Sequence, residues 1–366
     1  MRIFSRFADT GRDMVEAQFY RKLDNGKTLC YLCPRYCEIG EGQTGFCFVR
    51  KNEGGVLYSL AYASPYAVHL DPIEKKPLSH FLPGTEILSL GTAGCNLGCK
   101  FCQNWDISKA RYDHARASAF TPEKVVATAL QHGCPSIAFT YNDPVIWAEY
   151  AIDIARAAHA AGLQTVMVTA GYVTPEALPA IFDHMDAANV DLKGFTDHFY
   201  RKTCLARLQP VLETLEALKR RGTTWLEITT LLIPTLNDTR AELQEMCAWI
   251  LDHLGPEVPL HFTGFHPDFK LMHLPPTPPQ TLESARQLAL EMGIHYVYIG
   301  NVTTPEGNNT YCPACGALLI RRSWHTVQQI NLKQGGCPAC GHRVPLITGA
   351  PSPRRSPAAP RYQVLA

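Results

Sequence analysis

No stretch of the 366-residue chain approaches about 18 consecutive apolar residues, so no membrane-spanning helix is expected. The opening Met1-Arg2-Ile3-Phe4-Ser5-Arg6-Phe7 lacks the apolar run of a signal peptide. An excess of charge is missing too: 34 Lys and Arg stand against 33 Asp and Glu, a formal net charge of +1. That leaves no global electrostatic case for nucleic acid or an anionic membrane, and neither is expected as a partner. A disulfide framework is absent as well, although the chain holds 14 cysteines. Most fall in tight groups with Cys-x2-Cys spacing, which in a chain of this size reads as metal ligation. A reducing cytoplasm is the compartment these absences point to.

One absence is local. The run from Gly91 to Asn104 carries Cys95, Cys99 and Cys102, spaced Cys-x3-Cys-x2-Cys, and no fourth cysteine follows nearby. A structural zinc site closes its tetrahedron with four protein ligands, and an iron–sulfur cubane usually takes four thiolates. Three thiolates leave one coordination position open, and an open position on a metal is where chemistry happens. A zinc site completed by a distant ligand, or buried free cysteines, are the other readings of these residues.

The remaining chain falls into parts. Residues 1–25 read as a lead-in, with Met14, Val15, Gln18 and Phe19 on one side of a short helix. Cys30, Cys33, Cys37 and Cys47 follow, with Gly40, Gly42 and Gly45 among them to permit tight turns. Zinc and a second iron–sulfur cluster both suit that spacing. Residues 56–60 and 66–68 read as a β-hairpin region, and Lys75-Lys76-Pro77-Leu78 as a polar connection.

From residue 85 onward, short apolar runs alternate with helical patterns six or seven times. The runs are 85–90, 136–140, 164–169, 188–192, 225–232, 259–262 and 295–299. Thr121-Pro122-Glu123 and Thr174-Pro175-Glu176 read as helix starts, and Gly162, Gly222 and Gly293 as helix stops. This alternation argues for parallel βαβ units, whose active sites gather at the C-terminal ends of the strands. Cys95, Tyr141-Asn142-Asp143, Thr169-Ala170-Gly171, Asp191-Leu192-Lys193 and His266 all fall at such ends. Farther on, Cys312, Cys315, Cys337 and Cys340 form two near-identical knuckles with zinc-ribbon spacing, for which structural zinc is the default and a rubredoxin-like iron site the alternative. The proline-rich tail, Ala350 to Pro360, reads as disordered.

The pattern Cys-x3-Cys-x-aromatic-Cys, with Phe101 as the aromatic, resembles the signature of the radical S-adenosylmethionine (SAM) enzymes. The resemblance implies that Cys95, Cys99 and Cys102 ligate a [4Fe-4S] cluster whose open iron chelates the amino and carboxylate groups of SAM. It also implies reductive cleavage of SAM to a 5′-deoxyadenosyl radical that abstracts hydrogen from a substrate. The implied fold is α/β, a partial (βα)6 TIM-like barrel over 61–305. An N-terminal four-cysteine module (1–60), a zinc-ribbon-like module (306–348) and a tail (349–366) flank it.

The segment Cys30-Tyr31-Leu32-Cys33-Pro34-Arg35-Tyr36-Cys37, with Gly300-Asn301 and the block from Asn309 to Gly316, is similar to pyruvate formate-lyase activating enzymes. It is more similar to the radical SAM member of the AmmeMemoRadiSam system. Carried over position by position, the resemblance implies that Phe101 packs near the adenine. Tyr141, Asn142 and Asp143 then stand where other members bind the SAM ammonium, with Asp143 or Asn142 accepting its N–H groups. Thr169 lies near SAM, Lys193 pairs with its carboxylate, Asp191 orients that lysine or binds ribose, and His266 touches the ribose. The plainer readings are a helix N-cap at Asn142-Asp143, an ordinary ion pair at Asp191 and Lys193, and a structural histidine at His266. Reduced flavodoxin or ferredoxin is implied as electron donor, with Memo-like and AMMECR-type proteins as partners. Two rival functions remain at this point: a glycyl-radical activase, and a non-enzymatic zinc scaffold gripping RNA or protein.

Overall fold

The computed structural model describes residues 4–6, 13–113, 119–304 and 306–348; the proline-rich tail lies outside them. Its first seven strands are short: β1 (Phe4–Arg6), β2 (Asp13–Glu16), β3 (Tyr20–Lys22), β4 (Thr28–Cys30), β5 (Cys37–Ile39), β6 (Arg50–Glu53) and β7 (Val56–Ser59). They make two small sheets, ordered β1-β2-β7-β6 and β3-β4-β5. The lead-in is therefore strand where a helix was expected. Val15, Ala17 and Phe19 are buried while Glu16 and Gln18 are exposed, the period of two that belongs to a strand. The hairpin is also displaced from the expected span. It joins β6 to β7 through Gly54-Gly55, whose φ values of +61° and +73° suit a two-residue turn.

The large sheet comprises β8 (Ala67–Pro72), β9 (Glu86–Gly91), β10 (Ser136–Phe139), β11 (Gln164–Thr169), β12 (Ala187–Asp191), β13 (Trp225–Leu232), β14 (Leu260–Gly264) and β15 (Val297–Gly300). Its strand order simply runs from β15 back to β8. Strands β9 to β15 are parallel. The helices between them are α1 (Trp105–Ser108), α2 (Pro122–Gln131), α3 (Ala148–Ala160), α4 (Leu178–Phe182), α5 (Asp197–Phe199), α6 (Gln209–Arg221), α7 (Arg240–His253) and α8 (Pro279–Met292). Seven parallel strands and their six helical crossovers make the expected partial barrel. Strand β8, anticipated in part as hairpin, instead pairs antiparallel with β9 at the sheet edge. Local signals explain the helix ends: Thr121 and Thr239 accept the N–H groups of Lys124 and Glu242, and Gly222 ends α6 at φ +64°.

The expected polar connection at residues 75–78 is not a surface link. Lys76 is buried, its Nζ 2.6 Å from Asp71 Oδ2. The Pro77 carbonyl accepts from Asn189 on β12, and the Ser79 and His80 N–H groups donate to Glu227 on β13. This segment thus packs against residues of two central strands. Next comes the C-terminal module, β16 (Thr310–Tyr311), β17 (Leu318–Ser323) and β18 (Thr326–Ile330), one antiparallel sheet. Its buried Arg322 reaches Glu74 at 3.4 Å and the Ser79 carbonyl at 2.7 Å, tying the module to residues 74–79.

Candidate active site

The cysteine loop leaves β9 at Gly91 and is clamped from several directions. A Cβ on Gly91 would lie 2.8 Å from the Thr140 carbonyl oxygen, so a bare backbone is needed where the β9 and β10 ends meet. Gly94 has φ +83°, and a Cβ there would lie 2.0 Å from the Cys47 carbonyl oxygen. The Asn142 Nδ2 donates to the Gly94 carbonyl at 2.8 Å and the Thr92 hydroxyl at 3.1 Å, while its Oδ1 accepts from Thr92 N–H and Trp147 Nε1. Arg35, between Cys33 and Cys37, donates to the carbonyls of Asn96 and Leu205. Asn104 fastens the far end of the loop by donating to the Tyr141 carbonyl at 3.0 Å.

Above the strand ends lies a cavity of about 280 Å³. Cys95, Cys99, Phe101, Cys102, Tyr141, Asn142, Asp143, Thr169, Asp191 and Lys193 all border it, so the fold brings these expected site residues together. Their roles differ from one another. The Asn142 amide is consumed by the loop and positions it. The Tyr141 hydroxyl is likewise engaged, donating to Asp71 at 2.9 Å. Asp143 Oδ1 accepts from Val145 N–H at 3.1 Å and from the Thr169 hydroxyl at 2.9 Å. Its Oδ2 is buried with no hydrogen-bond partner. One carboxylate thus caps a helical turn through one oxygen, which is the N-cap reading, and leaves the other without a partner.

Burial pushes the Asp143 carboxyl up to about 6, against the lowering effect of its hydrogen bonds. A bound cation at Oδ2 would restore its charge. Lys193 carries the opposite sign, with its Nζ 2.9 Å from Asp191 Oδ2. Burial alone would lower its pKa, but Asp191 and the thiols of Cys99 and Cys204 hold it well above the usual lysine range. Cys95 is pushed up to about 12 by burial and then by the Asp143 charge. Phe101 is buried and stacks on Phe199 with ring centroids 6.1 Å apart. The donor set fits a SAM-chelating cluster: three thiols, an unpartnered carboxylate oxygen for an ammonium, a lysine for a carboxylate, and an apolar ring.

His266 stands apart. Phe265 turns into the core, which sends the next side chain outward. The His266 ring is exposed, with Nδ1 3.3 Å from the Pro267 carbonyl oxygen, and it does not border the cavity. Two residues escaped the sequence reading. Thr229, on the fifth parallel strand, borders the cavity with a buried hydroxyl that has no hydrogen-bond partner. Its position inside an apolar strand gave no signal. Cys204 looked scattered, yet its thiol holds Cys99 below the usual cysteine range, and its carbonyl accepts from Gly98 N–H at 2.9 Å.

The ribbon cysteines differ in spacing. Cys312 and Cys340, and Cys315 and Cys337, are paired at 3.6 Å, and all four sulfurs lie within 4.8 Å of one another. That set can hold one metal ion. Among the described residues no helix is long and apolar enough to cross a membrane.

A parallel α/β barrel with three thiols at the mouth of its first parallel strand defines a class of metal-dependent enzyme, and comparison with known proteins gives it a family. Residues 89–250 match the family model of the radical SAM superfamily. An uncharacterized protein of Methanocaldococcus jannaschii is 47% identical over 336 residues, covering 91% of this chain and 100% of that protein. Among solved structures, a domain of pyruvate-formate lyase-activating enzyme from Bacteroides vulgatus aligns with TM-score 0.40 and 15% identity, over 45% of this chain and 98% of that one. A radical SAM methyltransferase from Sphaerobacter thermophilus aligns with TM-score 0.48 and 14% identity, over 61% and 68%. The chain belongs to the radical SAM superfamily. It is an enzyme, and the superfamily domain implies SAM and a [4Fe-4S] cluster as cofactors. That sets aside the non-enzymatic scaffold.

Proposed function

We propose that this enzyme cleaves SAM reductively at a cluster held by Cys95, Cys99 and Cys102. When bound, the cluster and SAM supply a 5′-deoxyadenosyl radical for hydrogen abstraction from a substrate. The protein's share is to bind, orient and exclude water. The observation that carries the reading is Asp143 Oδ2: a buried carboxylate oxygen without a partner, on a residue that borders the same cavity as the three cysteines. Thr169 and the Val145 N–H fix the carboxylate's other oxygen, so the free one has a set direction. It accepts the SAM ammonium, Lys193 takes the carboxylate, and Phe101 offers the adenine an apolar face.

The cysteine spacing supports this assignment. Single-ion coordination brings zinc-bound sulfurs to about 3.8 Å from one another, given Zn–S near 2.3 Å. Among the described residues only the ribbon sulfurs converge to that degree, which favours zinc there and a wider group at Cys95, Cys99 and Cys102. The resemblance of the leading and trailing cysteine blocks supports a place in the AmmeMemoRadiSam system. Memo-like and AMMECR-type proteins are then the partners, a reduced flavodoxin or ferredoxin the donor, and the cytoplasm the compartment.

The test is anaerobic. The protein is reconstituted with iron and sulfide, reduced with dithionite and given SAM, and 5′-deoxyadenosine is quantified by mass spectrometry. The expected result is slow release even without substrate, abolished by Cys99→Ala. A reduced protein with neither product nor a SAM-sensitive paramagnetic signal overturns the assignment.

A further inference from the structure

The N-terminal cysteines remain without a role, and their geometry narrows the choice of occupant. Cys30 and Cys37 face each other across β4 and β5. Cys33 lies in the connection between those strands, close enough for Cys30, Cys47 and Cys37 all to act on it electrostatically. Gly45 brings bare backbone against the group: a Cβ there would lie 3.6 Å from Cys37 Sγ. The four thiols are thus one set, but a set more widely spread than the ribbon. Among the described residues, only the ribbon brings three or more such ligand atoms within 4.8 Å of one another.

The N-terminal set therefore shares its wider spacing with the Cys95 set and not with the ribbon.

We infer that Cys30, Cys33, Cys37 and Cys47 hold a second iron–sulfur cubane rather than zinc. The inference takes the Cys95 set as its internal standard and so rests on the radical SAM reading of that set. Four thiolates saturate the irons of this cluster and leave no position for SAM. Its place is fixed beside the first cluster. Cys47 packs its carbonyl against Gly94, next to Cys95, and Arg35 bridges from between Cys33 and Cys37 to the carbonyl of Asn96. Two reduced clusters so placed interact magnetically.

The experiment compares the full chain, a Cys95→Ala/Cys99→Ala/Cys102→Ala variant and a Cys33→Ala/Cys47→Ala variant, all reconstituted anaerobically. Iron, sulfide and zinc are counted per chain, and paramagnetic resonance spectra are taken after dithionite, with and without SAM. The full chain is expected to hold about eight irons, and each variant about four, at four per cubane. The signal of the triple variant ignores SAM; that of the double variant responds to it. The spectrum of the full chain is broader than the sum of the two. A full chain with about four irons, two zincs and a SAM-sensitive signal overturns the inference, and that result decides the matter even where a variant fails to fold. If the triple variant keeps its four irons while SAM alters no signal anywhere, the radical SAM reading falls and this one stands.

Discussion

Replacing Asp143 with Asn tests the binding geometry at a single atom. The amide oxygen of Asn can still accept from Val145 N–H and Thr169, which occupy Oδ1 at 3.1 and 2.9 Å. What changes is Oδ2, where an acceptor with negative charge becomes an N–H donor facing the SAM ammonium. Losing one charge-assisted hydrogen bond in a buried site and leaving its partner unpaired costs about 3 kcal/mol. At about 1.4 kcal/mol per decade, that is about 100-fold in SAM affinity. Equilibrium dialysis on the anaerobically reconstituted protein measures it, with iron content as the control for an intact cluster.

The same variant has a signature in the metal-free protein. Burial raises the folded Asp143 carboxyl from 3.8 to about 6. A raised folded value means the contribution to stability is present below about pH 4 and disappears as pH rises through about 6, a difference of about 3 kcal/mol. Asp143→Asn abolishes that slope and leaves the metal-free protein at neutral pH as stable as the wild type or more so. A cluster-loaded variant that binds SAM within about threefold of wild type would refute the assignment, whatever the melting curves show.

Three further outcomes follow from named contacts. Asn142→Ala removes the side-chain bonds that hold Thr92 and Gly94 and strands buried groups, a loss of about 2–4 kcal/mol with lower cluster content; an unfolding free energy within about 0.5 kcal/mol of wild type counts against it. Lys193→Met leaves Asp191 partly in water, so the protein folds and takes up iron, while SAM binding weakens by about tenfold or more; unchanged SAM binding by dialysis removes Lys193 from the site. Arg322→Met strips the partner from buried Glu74, a cost of about 3–5 kcal/mol read in the denaturant midpoint, and an unchanged midpoint means that the ribbon is held by other contacts.

The sequence made the barrel legible because its strands are short apolar runs between clear helix signals. The runs 164–169 and 225–232 coincide with β11 and β13 as they stand. The lead-in misled because Val15 and Phe19 lie four apart, a helical interval, while the buried Ala17 between them makes the true period two. Lys75-Lys76 looked polar because composition does not reveal that Asp71 waits inside to neutralise both ammonium groups. The candidate site followed the same logic. Residues at strand ends were visible, since loops expose polar clusters. Asn142 and Asp143 could be located but not told apart, because which of them is consumed by the loop depends on where Gly94 folds back. Thr229 and Cys204 were out of reach, as each borders the site through tertiary contact alone.

A site that must present three sulfurs in fixed positions has been built on a segment with almost no regular structure, residues 92–104. Its rigidity therefore comes from outside. Asn142 grips it from the second parallel strand's end, Asn104 returns to that same end, and the Cys204 carbonyl takes Gly98 N–H from below. The remaining supports are Cys47 against Gly94 and Arg35 on Asn96, both from the N-terminal module. That module is joined to the barrel in turn by a fully buried ion pair, Arg50 to Glu149 at 3.0 Å. Such a pair adds little net stability when intact but is costly to break from one side, so it fixes position more than it strengthens. The N-terminal cysteine module thus braces the cysteine loop from outside the cavity, and a chain lacking it would keep the three cysteines while losing two of the supports that hold their loop in place.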